Sequence, residues 1–254
     1  MAIIGLQGLR GGVGTTSITA ALGWSLQQLG ESVLVVDASP DNLLRLSFNI
    51  DFAHKGGWAR ALLDNNSWQE TGWHYDTHLD VLPFGQLTPH ERENASSLEE
   101  TLGDFVDGLE ELKSSGRYQW ILVDLPYGYD RLTRRLMSKI DNVLTIVKPD
   151  INCHTRLHQQ TLPASARILV NYLLVASQLQ DDIYQLWLQS QHNMIPIVIH
   201  RDEALAESAA MKQPLGEYRP DSLAAEELMT LASWCLLNFA DPRDAETLVS
   251  GPQS

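Results

Sequence analysis

The chain has 254 residues, of which 44% are hydrophobic and 20% charged, and its formal net charge at pH 7 is −14. That composition supports a sizeable core and excludes an unfolded tether, while the acidic balance argues against sequence-independent binding to DNA or anionic lipid. Two cysteines, Cys153 and Cys235, exclude a disulfide framework and point to a reducing compartment. No apolar run nears the roughly eighteen residues that a membrane-spanning helix needs. A soluble, cytoplasmic protein with no nucleic-acid partner and no direct membrane insertion is therefore expected.

In chain order, the pattern predicts a strand over 2–6 in place of a signal sequence, then a glycine-rich stretch and a helix over 16–29 closed by Gly30. Strands follow at 32–36 and 79–82, then a helix at 98–113 ended by Ser114-Ser115-Gly116. A strand at 120–123, a helix at 131–138 and strands at 142–147 and 168–170 come next. A helix at 180–191, a strand at 195–199 and a helix from roughly 222 to 239 complete the series. Several strands are apolar at consecutive positions, as strands covered on both faces are. The alternation predicts one doubly wound, mostly parallel α/β sheet flanked by helices over 1–240. Residues 241–254 read as an acidic, disordered tail.

Between the first strand and the first helix stands Arg10-Gly11-Gly12-Val13-Gly14-Thr15-Thr16-Ser17. Glycines let backbone N–H groups converge on an anion, and the helix N-terminus adds unpaired donors and its dipole. Strand, glycine loop and helix in this order, with hydroxyls where the helix starts, predict a phosphate site; the alternative is a plain glycine-rich turn. The general P-loop pattern G-x-x-x-x-G-K-S/T is missed twice, because Leu9 stands at its first glycine and Thr15 at its lysine.

The loop resembles the deviant pattern K-G-G-x-G-K-S/T of the MinD/ParA family of dimerising ATPases (SIMIBI class), with Arg10 and Thr15 in place of its two lysines. Val33-Leu34-Val35-Val36-Asp37-Ala38-Ser39-Pro40 resembles the family's second-strand motif, D-x-D-P. Trp120-Ile121-Leu122-Val123-Asp124-Leu125-Pro126 resembles its Walker B strand, and Ile168-Leu169-Val170-Asn171 the strand whose Asn reads the adenine edge. The resemblance extends to about residue 238. Within the family the chain is most similar to the branch serving bacterial cellulose biosynthesis, through the lysine-free loop and segments 43–48, 115–120, 153–160 and 181–187.

The resemblance implies ATP with Mg²⁺, held by Arg10, Gly11, Gly12, Val13, Gly14, Thr15, Thr16, Ser17, Asp37, Asp124, Asn171, His200 and Arg201. Thr16 and Asp124 would stand on the Mg²⁺ side. It implies a homodimer closed around ATP, with Arg10 reaching across. Asp150, Asn152 and Arg156 follow a strand end, where open α/β sheets place ligands; they are further cross-dimer candidates, or ordinary capping and solvated residues. The implied partners are a short cellulose-biosynthesis accessory protein and other cytosolic components of the cellulose synthase complex, which would recruit the chain to the inner membrane.

In that family a lysine neutralises the β- and γ-phosphates and an aspartate orients the attacking water. Thr15 and Ser39 occupy those places here. Losing one positioned electrostatic group costs on the order of 10²–10³ in rate, so hydrolysis is expected to be weak or absent. The alternative, with Asp37 or Asp41 orienting the water, is a slowly cycling positioning ATPase. Cys153, His154 and His158 offer a metal cluster or a surface helix, and Ile183, Leu186 and Trp187 read as one core-facing stripe.

Overall fold

Strands apolar at every position must be covered on both faces, and β1 (Ala2–Gly8), β2 (Val33–Asp37) and β5 (Trp120–Leu125) are buried along their whole length. In the computed structural model, which describes residues 1–93, 100–128 and 131–239, five more strands join them. These are β3 (Trp73–Asp76), β4 (Leu79–Leu82), β6 (Asn142–Val147), β7 (Ala166–Leu173) and β8 (Met194–His200). All eight form one sheet in the order β3-β4-β2-β5-β1-β6-β7-β8. Every pairing is parallel except that of β3 with β4. The predicted tail and the start of the predicted helix at 98–113 lie outside the described residues.

The helices are α1 (Thr15–Gln28), α2 (Trp58–Leu63), α3 (Pro89–Glu93), α4 (Gly103–Ser115), α5 (Arg131–Met137), α6 (Ile151–Gln159), α7 (Gln178–Ser190), α8 (Glu203–Ala210), α9 (Leu215–Tyr218) and α10 (Leu223–Asn238). They divide between the two faces of the sheet. Residues of α1 and α6 to α10 share a core with one face, which includes Ile18, Leu22, Trp187 and Leu228. Residues of α2, α4 and α5 fill the other, where Trp58 stacks on Phe105 at 3.9 Å between ring centroids. Among the described residues no helix is long and apolar enough to cross a membrane.

One local expectation is corrected, and one strand has no counterpart among the predicted elements. Leu186 does not belong to the core stripe of α7: Ile183 and Trp187 are buried, whereas Leu186 is exposed, because the sheet covers too narrow an arc of this helix to reach it. Strand β3 carries Trp-His-Tyr-Asp, without an apolar run or clean alternation to mark it; it is an edge strand that kinks between His74 and Asp76. The main topology otherwise follows the predicted order. Strand β1 lies centrally, between β5 and β6, so the C-terminal ends of these two parallel neighbours flank the loop that follows it.

Candidate functional site

The loop after β1 turns on Gly12 and Gly14, at φ of 76° and 90°, where a side chain is strained. Gly14 hands the chain to α1, and no side chain caps that helix. The first N–H groups of α1 therefore have no helical partner and face the loop's concave side. Leu9 N–H donates to the Ile146 carbonyl at 3.0 Å, tying the loop to β6. Asn171, fully buried at the end of β7, donates from Nδ2 to the Val13 carbonyl at 2.8 Å and accepts from Tyr172 N–H. A Cβ at Gly14 would lie 2.5 Å from that Nδ2. The expected adenine-reading amide is thus engaged as a brace beneath the loop.

Asp37 and Asp124 are register partners on the adjacent strands β2 and β5, exposed by 0% and 2%. Asp37 accepts from the N–H groups of Ser39 at 2.9 Å and Leu44 at 3.0 Å. Burial nevertheless raises its pKa above the ordinary carboxylate range. Asp124 is raised well above that range by burial and then by the charge of Asp37, against the hydrogen bond it accepts from Thr16. The charge of buried Arg45 favours ionised Asp37 in part, but among the described residues no lysine or arginine forms a direct ion pair with either carboxylate. Two buried carboxylates and a hydroxyl, with no cation bonded directly to them, form a hard-oxygen donor set that suits Mg²⁺. The residues present fit the expected metal.

Arg10 is folded back on its own chain. Its guanidinium donates to Asp150 and, at 2.7 Å, to the Gly11 carbonyl, while its Nε is buried without a partner. Asp150 also caps α6 by accepting from Cys153 N–H at 2.9 Å, so the capping role stands and a second contact is added. Burial opposes its charge, but the hydrogen bonds from Arg10 and the cap hold its pKa below the usual range. One turn on, Arg156 donates to Asn152 Oδ1 at 2.9 Å and to the Tyr127 hydroxyl at 2.7 Å. Exposed Ile151 lies among these groups.

Beyond Asn171, Lys148, Tyr172, Leu174, Gln180 and Arg201 line a cavity of about 280 Å³ beside the loop. Lys148 lies over the Tyr172 ring, 5.1 Å from its centroid. An aromatic face with two cations next to a phosphate loop can hold the base and sugar of a nucleotide. Arg201 faces this cavity. His200 does not: its ring pairs with Glu227 of α10, and its N–H donates to the same carboxylate at 2.8 Å, because β8 is covered by α10 at that point.

Ser39 accepts from Asp41 N–H at 3.3 Å in a turn of its own. Both oxygens of Asp37 are committed to backbone donors, and Asp41 is largely solvated, 3.9 Å from Arg92. Among the described residues no cluster of three His, Cys, Asp or Glu side chains could hold a metal. Cys153 is buried and His154 accepts at Nδ1 from the Trp187 indole at 3.1 Å, whereas His158 is exposed with its ring against that of His154, so the trio runs from the core to the surface of α6.

Sequence reasoning passed over three contributors. Gln7, buried in β1, donates to the carbonyls of Gly128 at 2.9 Å and Pro126 at 3.3 Å, and so positions the segment after β5. A lone amide in an otherwise apolar strand was its available signal. Arg45 donates to the carbonyls of Asn42 and Asp51, locking the loop that supplies Leu44 N–H to Asp37. Tyr172, at φ 63°, had no signal beyond its place after Asn171.

A family model described as "Cellulose biosynthesis protein BcsQ" matches residues 1–236. The protein of that name from Salmonella typhimurium is 66% identical over 240 residues, covering 94% of this chain and 96% of the relative. Among solved structures, the MinD cell division protein of Aquifex aeolicus superposes with a TM-score of 0.74 at 20% identity, covering 95% of this chain and 99% of that one. MinD from Pyrococcus horikoshii, complexed with Mg-ADP, gives 0.70 at 21% identity over 92% of this chain and 95% of that one. The sheet order and the glycine loop are thus those of a MinD/ParA-type P-loop fold, and the chain belongs to the BcsQ family of cellulose biosynthesis proteins.

Proposed function

We propose that the chain binds ATP with Mg²⁺, closes a homodimer around it, and serves bacterial cellulose biosynthesis as an accessory scaffold with little or no hydrolysis. The observation that carries this reading is the buried Asp37–Asp124 pair facing Thr16, to which no cation is directly bonded and whose charge Arg45 offsets only in part. Such a pair is costly until a divalent ion arrives, and a Mg²⁺-nucleotide would bring one. Thr16 and Asp124 would hold the ion, and the N–H groups of 11–17 would hold the phosphates. That MinD from Pyrococcus horikoshii, which shares this fold, is complexed with Mg-ADP supports a Mg²⁺-nucleotide as the ligand. Thr15 adds no charge to the β- and γ-phosphates, and Ser39 offers a hydroxyl where the family has a water-orienting carboxylate, which supports weak turnover.

Arg10 crosses to the partner's nucleotide in this reading by exchanging Asp150 for phosphate oxygens, a like-for-like swap for a forked donor. Ile151, Tyr127 and Arg156 surround that point and would meet their symmetry mates in an isologous contact. Recruitment to the inner membrane would follow from a short accessory polypeptide and other cytosolic parts of the synthase complex. The test is light scattering after gel filtration, with and without ATP–Mg²⁺, alongside phosphate release. Doubling of mass only with ATP–Mg²⁺ and turnover no faster than that of Asp124→Asn is expected. Brisk release abolished by Asp124→Asn would replace the scaffold with a cycling positioning ATPase, and an unchanged mass would overturn the dimer.

A further inference from the structure

A second cavity, larger than the one beside the loop, lies on the α1 face of the sheet and shares no residue with the nucleotide site. Its volume is about 400 Å³, and its walls include Trp24 of α1, Tyr75 and Asp76 of β3, Asn49, Lys212 and Glu217. That volume is within the range of clefts that hold small ligands or single side chains. Trp24 and Tyr75 meet edge to face, 6.3 Å between centroids, and form an aromatic corner in an otherwise polar lining.

The two carboxylates lining the cavity beside that corner are satisfied only by neutral donors. Glu217 accepts from the Tyr75 hydroxyl and from Gln213 Nε2 at 3.2 Å. Asp76 accepts from Thr77 N–H at 2.7 Å, from the Thr77 hydroxyl at 3.4 Å and from Gln27 Nε2 at 3.4 Å. Neither makes an ion pair among the described residues, and Lys212, the one cation of the lining, reaches neither. Asp76 and Glu217 together outweigh Lys212, so the cleft is net negative. An anion would be repelled, and a purely apolar group would leave these carboxylates desolvated. A cation with an apolar stem meets both needs: its stem lies on the indole, and its head is placed for cation–π and charge-assisted contacts.

We propose that this cleft binds the arginine or lysine side chain of a partner polypeptide, with the stem against Trp24 and the charged head between Asp76 and Glu217. Exposed Met211 on the rim offers apolar contact to the residues flanking that side chain, which a free amine would not use. The formal charge of −14 on the whole chain favours a basic partner.

The experiment is isothermal titration of the full-length protein with acetyl-Gly-Arg-Gly-amide, its norleucine counterpart and free agmatine. Saturable binding of the arginine peptide is expected, at least tenfold tighter than the norleucine peptide and tighter than agmatine. Glu217→Gln and Asp76→Asn should each weaken it about tenfold or more, and saturating ATP–Mg²⁺ should not displace it. Absence of saturable binding, equal binding of the norleucine peptide, or insensitivity to both substitutions would overturn the site. Agmatine binding as tightly as the peptide would overturn the assignment to a polypeptide. The norleucine comparison uses the unaltered protein, so it decides the matter even if a variant folds poorly.

Discussion

Asp124 and Asp37 are the residues whose own physics states the site most directly. Burial raises both, so in the nucleotide-free protein they bind protons more readily folded than unfolded. Their favourable contribution is present below the unfolded Asp value of about 3.9 and is lost as pH rises through the raised folded values. Asp124→Asn should therefore raise the melting temperature of the nucleotide-free protein at pH 8, by about 2–4 °C for each kcal/mol relieved, and flatten its pH dependence. The same variant should lose the stabilisation that ATP–Mg²⁺ gives the parent, as scanning fluorimetry across pH with and without nucleotide would show. A variant that melts lower without nucleotide would contradict the uncompensated pair.

Gly14→Ala is the sharper residue-scale test of the loop. The added methyl meets Asn171 Nδ2 at 2.5 Å on a backbone at φ 90°, so either the brace or the loop must shift. ATP affinity should fall at least tenfold while the fold, read by circular dichroism, persists. Unchanged nucleotide binding in a titration would mean that the loop does not hold phosphate.

Among the elements, α8 and α10 are joined through one carboxylate. Asp202 accepts from Ala204 N–H at 2.9 Å as the cap of α8 and from Ala224 N–H at 3.1 Å in the first turn of α10. Ser222 caps α10 itself, accepting from Ala225 N–H at 3.3 Å. A lost cap costs about 1 kcal/mol, so Asp202→Ala should cost more than Ser222→Ala, roughly 2 kcal/mol against 1, in denaturant melts. Equal losses would show that the bond to α10 contributes nothing. The closing helix was legible in the sequence to within a residue because Ser222 marks its start. The hairpin strand β3 was not, since its pairing depends on β4 and its residues follow no period.

Over the whole molecule, the proposed dimer turns on Arg10. In the single chain it is held by Asp150. If ATP competes for the same guanidinium, Arg10→Ala should leave a folded monomer that still binds nucleotide but no longer doubles its mass with ATP–Mg²⁺ in light scattering. A variant that dimerises normally would remove Arg10 from the interface.

The sequence by itself determined the doubly wound sheet, the glycine loop and the carboxylate of β5. Each depends on local pattern: apolar runs that must be covered on both faces, glycines that alone turn so tightly, a charge ending a buried strand. Tertiary structure alone decided where the long-range partners go. It set Asp37 beside Asp124, put Asn171 under the loop instead of at its mouth, turned His200 to Glu227 and closed Arg10 on Asp150. These contacts join residues far apart in the chain. No local period encodes them, and they exist only once the strands lie side by side.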